Sequence, residues 1–419
     1  MPETRYIFLS AGEGFPSTVF ASQVGDLLGV LSRAGINFEV LGFDPFYPRN
    51  RLTRRGRDSL LELSDRLPGP LKLRPFMPYE DRIGLPFARR LLSLSLDRRP
   101  TVIHARGVWA AALAARVSQR RRSVKFLYDV RGDYVAEHAF HHTGRGDARG
   151  LRVRAGQWRI GRAERRACDA ASRLLCVSNA LRTTLEGRYP GAGVKAAVIP
   201  SGHDPRRFFL DPELRAKTRK MLGLEDAFVL VYAGSMVPYQ LPEALARLGQ
   251  IACELHPKAH LLILTQNPET ARGYLIRANL PLGRSTCIRV PHSEVPAYLS
   301  ASDLGLLLRR RDPVNRAASP TKVAEYLASG VPVLVGPEIG DTSELVVQAG
   351  LGAVLDDPES PRALRAALGD LLERGLPSRE HVAKVAQRRF ARDRFLPTYL
   401  DLYGQLSTAA QRGAAATRL

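Results

Sequence analysis

The amino-acid sequence predicts an α/β protein built from two doubly wound halves. Short apolar runs rich in Val, Ile, Leu and Phe alternate with helix-period segments, the signature of parallel sheets. The pattern runs twice, each time opening on a strand followed by a glycine turn, "RYIFLS-AGEG" and "FVLVYAGS". The 419 residues, 45% of them apolar, are enough for two full cores.

The elements follow in order. "RYIFLS" reads as a first strand, "AGEGFPS" as a loop, "TVFASQVGDLLGVLSRAG" as a helix ending at Gly35, and "NFEVLGF" as a second strand. Residues 49–100 are polar, basic and dotted with proline, with one amphipathic helix at "LPFARRLLSLSL". "PTVIHAR" and "VKFLYDVRG" flank an Ala-rich helix, and "RLLCVS" and "AAVIPSG" complete the first sheet. The second cycle reads "FVLVYAGS", "HLLILTQ", "CIRVPH", "DLGLLLR" and "VPVLVG", with "GAVLDD" as an edge strand. The expected divisions are residues 1–200, 201–395, and 396–419. The last would be a helix, "RFLPTYLDLYGQL", packing back across the domains, and then a frayed tail. The hinge is expected near residues 199–205.

Bulk chemistry narrows the function. Net charge is +21. Residues 1–200 hold 34 Lys and Arg against 18 Asp and Glu, whereas residues 201–419 hold 28 against 23. The first half is therefore the anion-attracting half. Arg-rich composition with no specific partner is one reading; the other, since the charges lack interleaved aromatics, is an anionic membrane surface rather than nucleic acid. The cysteines, Cys168, Cys176, Cys253 and Cys287, show no metal-ligand spacing, which fits a reduced compartment. The polar start shows no signal peptide and no apolar run spans a bilayer. The expected location is cytoplasmic, with peripheral contact at the inner face of the cell membrane.

In doubly wound sheets ligands sit outside the carboxyl ends of strands. The densest signal there is "NRAASPTKVAEYLASGVPVL", residues 315–334. Ser319 reads as an N-cap and Pro320 as the first helical residue. Gly330 suits a left-handed C-cap, and Pro332 blocks continuation. The helix start, beginning with Thr321, offers free N–H groups to an anion, and Lys322 adds a full charge. Arg309, Arg310, Arg311 and Arg316 lie just upstream, and Glu325 follows as a carboxylate able to accept two ribose hydroxyls. Plain helix surface is the competing reading of Glu325.

"SPTKVAEYLASGVPVLV" resembles the donor-site motif of retaining glycosyltransferases of family 4 (glycosyl transferases group 1), in the subgroup with S-P-x-K-x-x-E-Y. Glu325, Ala328, Gly330, Pro332 and Val333 match its E-A-x-A-x-G-x-P-V half. "YDVRGDYVAE", "CVSNAL", "VIPSGHDPRRF", "YAGSMVPYQ" and "VPHSEVPAYLSASDLGLLL" resemble further family segments in the right order. The resemblance implies the GT-B fold, two Rossmann-like domains facing across a cleft, an amino-terminal acceptor domain and a carboxyl-terminal donor domain. It implies sugar transfer from a nucleotide-diphosphate sugar, a UDP-sugar being preferred, to a hydroxyl on a glycan or lipid-linked acceptor, with retention. The subgroup's setting is bacterial surface polysaccharide or glycolipid synthesis. No other cofactor is expected. No D-x-D motif occurs, so metal-independent transfer is expected.

The implied donor-binding residues are Glu13, Gly14, Gly234, Ser235, His292, Arg309, Arg311, Ser319, Pro320, Thr321, Lys322 and Glu325. The implied catalytic residues are Lys322, Glu325, Arg131 and Asp129. Three departures stand out. Ala317 occupies the position of the first glutamate of the family's E-x7-E motif. Ser235 and Gln240 stand where the glycine loop carries cations, and Arg131 stands where the amino domain carries a histidine.

Several readings compete. Glu13 and Gly14 could form an ordinary tight turn. Asp129 and Arg131 could simply pair with each other. His104 could meet the acceptor or be a satisfied core histidine. Asp303 reads as a cap and Tyr326 as core. Glu137, His138, His141 and His142 have helical spacing for zinc, against which stands a mobile acceptor loop. At the level of function, the rivals are a sugar-nucleotide 2-epimerase of the same shape and a non-catalytic basic surface-binding protein.

Overall fold

The computed structural model describes residues 3–12, 21–45, 53–65, 67–76, 83–143 and 150–416. Glu13 and Gly14 lie outside the described residues. The chain divides into two compact units, with Pro200–Arg394 forming the second and Phe395–Leu419 returning to the first.

The first unit is a seven-stranded parallel sheet. Its strands are β1 (Arg5–Ala11), β2 (Phe38–Asp44), β3 (Leu71–Pro75), β4 (Thr101–Arg106), β5 (Val124–Val130), β6 (Arg173–Cys176) and β7 (Ala196–Val198), in the order β3-β2-β1-β4-β5-β6-β7. The central strands are apolar on both faces because helices cover both faces. β4 is buried along its whole length, and the Ala-rich helix Val108–Ser118 is buried on nearly every side. The sequence reading has no strand in residues 49–100, yet β3 lies there, paired in parallel with β2. Its alternating Lys72 and Arg74 and its flanking Pro70 and Pro75 suit only an edge, and the same residues hide it from a reading based on apolar runs.

The second unit holds β8 (Phe228–Ala233), β9 (Ala259–Leu264), β10 (Ser285–Ile288), β11 (Leu304–Leu307), β12 (Val333–Val335) and β13 (Gly352–Val354), in the order β10-β9-β8-β11-β12-β13. β10 stops at Ile288, earlier than "CIRVPH" suggests. In both sheets the winding reverses once, between β1 and β4 and between β8 and β11. Such reversals open a crevice at the carboxyl ends of the two strands concerned, where ligands bind.

The helix Leu396–Ala415 packs on the first unit, with Tyr403 fully buried. The expected fraying of residues 407–419 is not observed as far as Ala415. Ala410 and Ala414 are buried, and a Cβ at Gly413 would meet the Arg122 carbonyl oxygen at 1.9 Å. Small residues let this turn of helix lie directly on backbone. Among the described residues no helix is long and apolar enough to cross a membrane.

Candidate functional site

The reversal in the second sheet collects most of the expected donor residues. The helix carrying them is Thr321–Ala328, with Pro320 at the cap position and no side-chain cap. Ser319 is therefore not the N-cap. Its Oγ instead accepts the Ser201 N–H at 2.9 Å, tying the loop ahead of the helix to the "IPSG" turn. The far end is as expected. Gly330 has φ 72°, and its N–H reaches Leu327 O while Val331 N–H reaches Tyr326 O. That is the Schellman pair, and it turns the chain straight into β12.

Lys322 lies on the first turn, its Nζ 4.6 Å from the centre of the Tyr232 ring and 3.3 Å from the Tyr232 hydroxyl. Tyr232 sits near the end of β8 and donates to Ser235 O at 2.7 Å. Tyr326, expected as core, is fully buried, and its hydroxyl accepts the Ala233 N–H at 2.8 Å. The two tyrosines thus lash the glycine turn to the helix. Gly234 has φ 159°, a backbone conformation that favours glycine, and Lys322 Nζ lies 2.2 Å from where a Cβ would stand.

Arg309, just past β11, stacks over Tyr239 with 5.3 Å between its Cζ and the ring centre. Its Nε is buried without a hydrogen-bond partner. Burial and then the Arg309 charge lower the Lys322 pKa, and against the smaller opposing effect of Glu325 it falls to about 7. Burial lowers the Arg309 pKa as well. Among the described residues, no carboxylate forms an ion pair with either cation. Two adjacent, desolvated positive charges without a counter-ion are costly in the free protein, and an anion placed between them removes the cost.

Glu325 lies one turn beyond Lys322 on the same helix face, its Oε1 3.9 Å from His292 Nε2. The Arg207 guanidinium contacts both His292 Nδ1 at 2.9 Å and His292 O at 2.8 Å. A guanidinium only donates, so Nδ1 accepts and the ring proton is assigned to Nε2, facing Glu325. The rest of the arginine run is engaged elsewhere. Arg311 and Arg316 both pair with Glu338 on the surface, and Arg310 approaches Glu359. Among the described residues Arg309 is thus the member of this run with no carboxylate partner, whereas Arg311 sits in an exposed pair. Gln240 is buried, with its Oε1 unpartnered. Ala317 is 2% exposed. A glutamate there would be a buried carboxylate needing its own donors.

The first unit presents a different cluster at the carboxyl ends of β4 and β5. Asp129 is buried, with His104 Nε2 at 3.2 Å, Arg131 Nη1 at 3.6 Å and Arg106 Nη1 at 3.8 Å. Burial alone would raise its pKa, but Arg131, His104 and Arg106 together hold the carboxyl well below the usual carboxylate range. Arg106 and Arg131 also donate to Gln23 Oε1, at 2.9 and 3.3 Å. His104 is fully buried, stacked on Phe8, and held by the Tyr403 hydroxyl at Nδ1, 2.7 Å away. It is a core histidine held by Tyr403 at Nδ1 and facing Asp129 with Nε2, and Asp129 is a fixed anion rather than a group ready to take a proton. Asp303 likewise proves to be no cap: Arg215, Arg219 and the Val229 N–H converge on its carboxylate. The His138 and His142 rings lie against each other, 4.5 Å between centres.

Sequence reading missed Tyr232, Tyr403, Gln23 and Arg207. The two tyrosines look like ordinary apolar-strand and helix residues. Gln23 carries no motif, and Arg207 sits in the "VIPSGHDPRRF" segment with nothing there to mark its role.

Two family sequence models match: Glycosyltransferase Family 4 over residues 21–207, and Glycosyl transferases group 1 over residues 215–389. Together with the two parallel sheets, these define a glycosyltransferase of the GT-B fold. The chain belongs to glycosyltransferase family 4, group 1.

The GDP-mannose-dependent alpha-(1-6)-phosphatidylinositol monomannoside mannosyltransferase of Mycolicibacterium smegmatis is 28% identical over 207 residues, 48% of this chain and 53% of that protein. The D-inositol 3-phosphate glycosyltransferase of Kineococcus radiotolerans is 29% identical over 285 residues, 60% of this chain and 61% of that one. The match thus spans between half and two thirds of each relative. The crystal structure of Anabaena HepE in complex with UDP superposes with a TM-score of 0.70 at 16% identity, covering 96% of this chain and 100% of that one.

Proposed function

We propose that this protein transfers a sugar from a UDP-sugar to a hydroxyl acceptor with retention of configuration, in the synthesis of a bacterial surface polysaccharide or glycolipid. The observation that carries the reading is the uncompensated Lys322–Arg309 pair at the β8/β11 reversal, with the Gly234 backbone against it. These cations receive the donor diphosphate. Glu325, one turn on, takes the ribose hydroxyls, and the loop holding His292 lies beside the base.

As the glycosidic bond breaks, negative charge grows on the leaving diphosphate. Fixed cations and helix N–H groups aimed there stabilise the transition state by several kcal/mol, on the order of what one lost oxyanion donor costs. The acceptor attacks from the face the leaving group vacates, and a diphosphate oxygen takes its proton. This route needs no general-base carboxylate, which fits an Asp129 held between two arginines and His104. Lys322 and Arg309 supply the charge that a divalent ion supplies elsewhere, so transfer proceeds without metal.

HepE crystallised with UDP supports the base, and the phosphatidylinositol monomannoside mannosyltransferase among the relatives supports a glycolipid setting. The helix Leu151–Ala170 exposes Leu151 and Trp158 beside Arg154, Arg162 and Arg165, a composition suited to an anionic membrane surface bearing a lipid-linked acceptor. Calorimetric titration with UDP, GDP and dTDP tests the site. UDP should bind tightest, and Lys322→Met should weaken it at least tenfold. Equal binding by the variant would sink the assignment. Sugar release or epimerisation without an acceptor, at the rate seen with one, would favour the epimerase reading instead.

A further inference from the structure

The first unit carries a second basic feature at the opposite end of its sheet from the Asp129 cluster. A cavity of about 750 Å³ opens where the last turns of the helix Leu396–Ala415 cross the starts of β5 and β6. Arg122, Lys125, Arg173 and Arg412 line it, with Gln405 and Thr408. Lys125 is the second residue of β5, and Asp129 lies four residues on along the same face. At about 3.3 Å per residue the two ends stand about 13 Å apart. The cavity is therefore separate from the carboxyl ends where the donor and acceptor chemistry is expected.

Four cations share this space, and among the described residues none of them forms an ion pair with a carboxylate. The nearest acid in the hydrogen-bond network is Asp401, and Gln405 stands between it and the cations. Gln405 Nε2 donates to Asp401 Oδ2 at 2.9 Å, while Gln405 Oε1 accepts from Arg173 Nε at 2.9 Å. The amide thus holds Arg173 in place without neutralising it. Gly413 holds Arg412 near Arg122, because only a residue without a Cβ lets the helix lie on the Arg122 carbonyl. The C-terminal end of this helix carries about half a negative charge. Set against four cations, that leaves a surplus of more than three positive charges. The cavity's size is within the roughly 300–1,000 Å³ of small-molecule sites.

We infer that this cavity is a second anion site, which takes a phosphate-bearing ligand through Arg122, Lys125, Arg173 and Arg412. A phosphate offers several acceptor oxygens to arginine and lysine donors arriving from different elements, the geometry this set presents. The ligand is a soluble phosphorylated sugar or the phosphate of a lipid headgroup. The inference stands independently of the donor site in the second unit.

The test uses the full chain with saturating UDP, which occupies the donor site. One arm titrates glucose 6-phosphate by calorimetry, and the other floats the protein on phosphatidylglycerol vesicles. The variants are Thr408→Glu, which places a carboxylate in the cavity, and the double variant Arg122→Ser with Arg412→Ser, whose side chains are exposed. Both should keep the wild-type thermal midpoint and UDP affinity. Glucose 6-phosphate binding that drops at least tenfold in both variants identifies a soluble ligand. Vesicle binding that drops at least tenfold in both identifies a lipid phosphate. If both probes behave alike on wild type and variants, or neither binds, the inference is overturned.

Discussion

Two clusters of arginine, lysine and histidine sit at the carboxyl ends of the two sheets, and they are built on opposite plans. In the first unit Arg106, Arg131 and His104 converge on one buried carboxylate, Asp129. In the second, Lys322 and Arg309 lie together over tyrosine rings with no carboxylate paired to either. A compensated cluster is at rest without a ligand. An uncompensated one is strained until an anion arrives. Cation count alone does not separate a binding site from a structural one; the presence of a counter-ion does.

That contrast predicts mutations of opposite sign. The largest effect is expected from Asp129→Ala, which leaves Arg106 and Arg131 facing each other and His104 without its carboxylate partner. Removing one partner from a buried ionic cluster costs about 3–5 kcal/mol, to be read from urea denaturation. A loss under about 1 kcal/mol would break the comparison. Lys322→Met should instead leave stability unchanged or raised, because it removes a desolvated, uncompensated charge. UDP affinity should fall at least tenfold, about 1.4 kcal/mol.

A smaller, graded effect follows from the Lys322 pKa of about 7 in the free protein. A bound diphosphate favours the ammonium and raises that value. UDP affinity should therefore be greatest below pH 7 and fall by up to tenfold per pH unit above it. The fall levels off once the pH passes the pKa of the complex. Titrations at pH 6.5, 8 and 9 measure this, and a flat profile would remove Lys322 from the diphosphate. The smallest effect is expected at Arg311, an exposed partner of Glu338. Arg311→Ala should change stability by less than about 1 kcal/mol and leave UDP binding as it was. A tenfold loss would restore it to the site.

Most of the fold was legible because strand and helix periods are local. β3 was not, because an edge strand with Lys72 and Arg74 on it lacks the apolar run that marks a central strand. The helix at residues 407–415 was not, because small polar and alanine residues look like a tail until the backbone they pack on is known. In the site, the Gly330 turn and the place of Lys322 on the first turn of its helix were readable from spacing alone. Ser319 was misread because its sequence context is that of a cap, and only the fold supplies Ser201 as its partner. Arg309 could not be told from Arg310, Arg311 and Arg316 by sequence, since what separates them is the nearby Glu338 and Glu359. Ala317 makes sense only with burial in view. Introducing glutamate there should destabilise the second unit rather than restore a sugar contact.

The central claim is that an anion completes the Lys322–Arg309 pair. Its most direct test is proton linkage, by calorimetry of UDP binding at pH 8 in buffers of different ionisation enthalpy. At that pH free Lys322 is mostly neutral, and the phosphates of UDP are already deprotonated. The wild type should take up close to one proton per UDP bound, and Lys322→Met should take up none. Equal proton uptake by the two proteins, or none in the wild type with its affinity intact, would contradict the account.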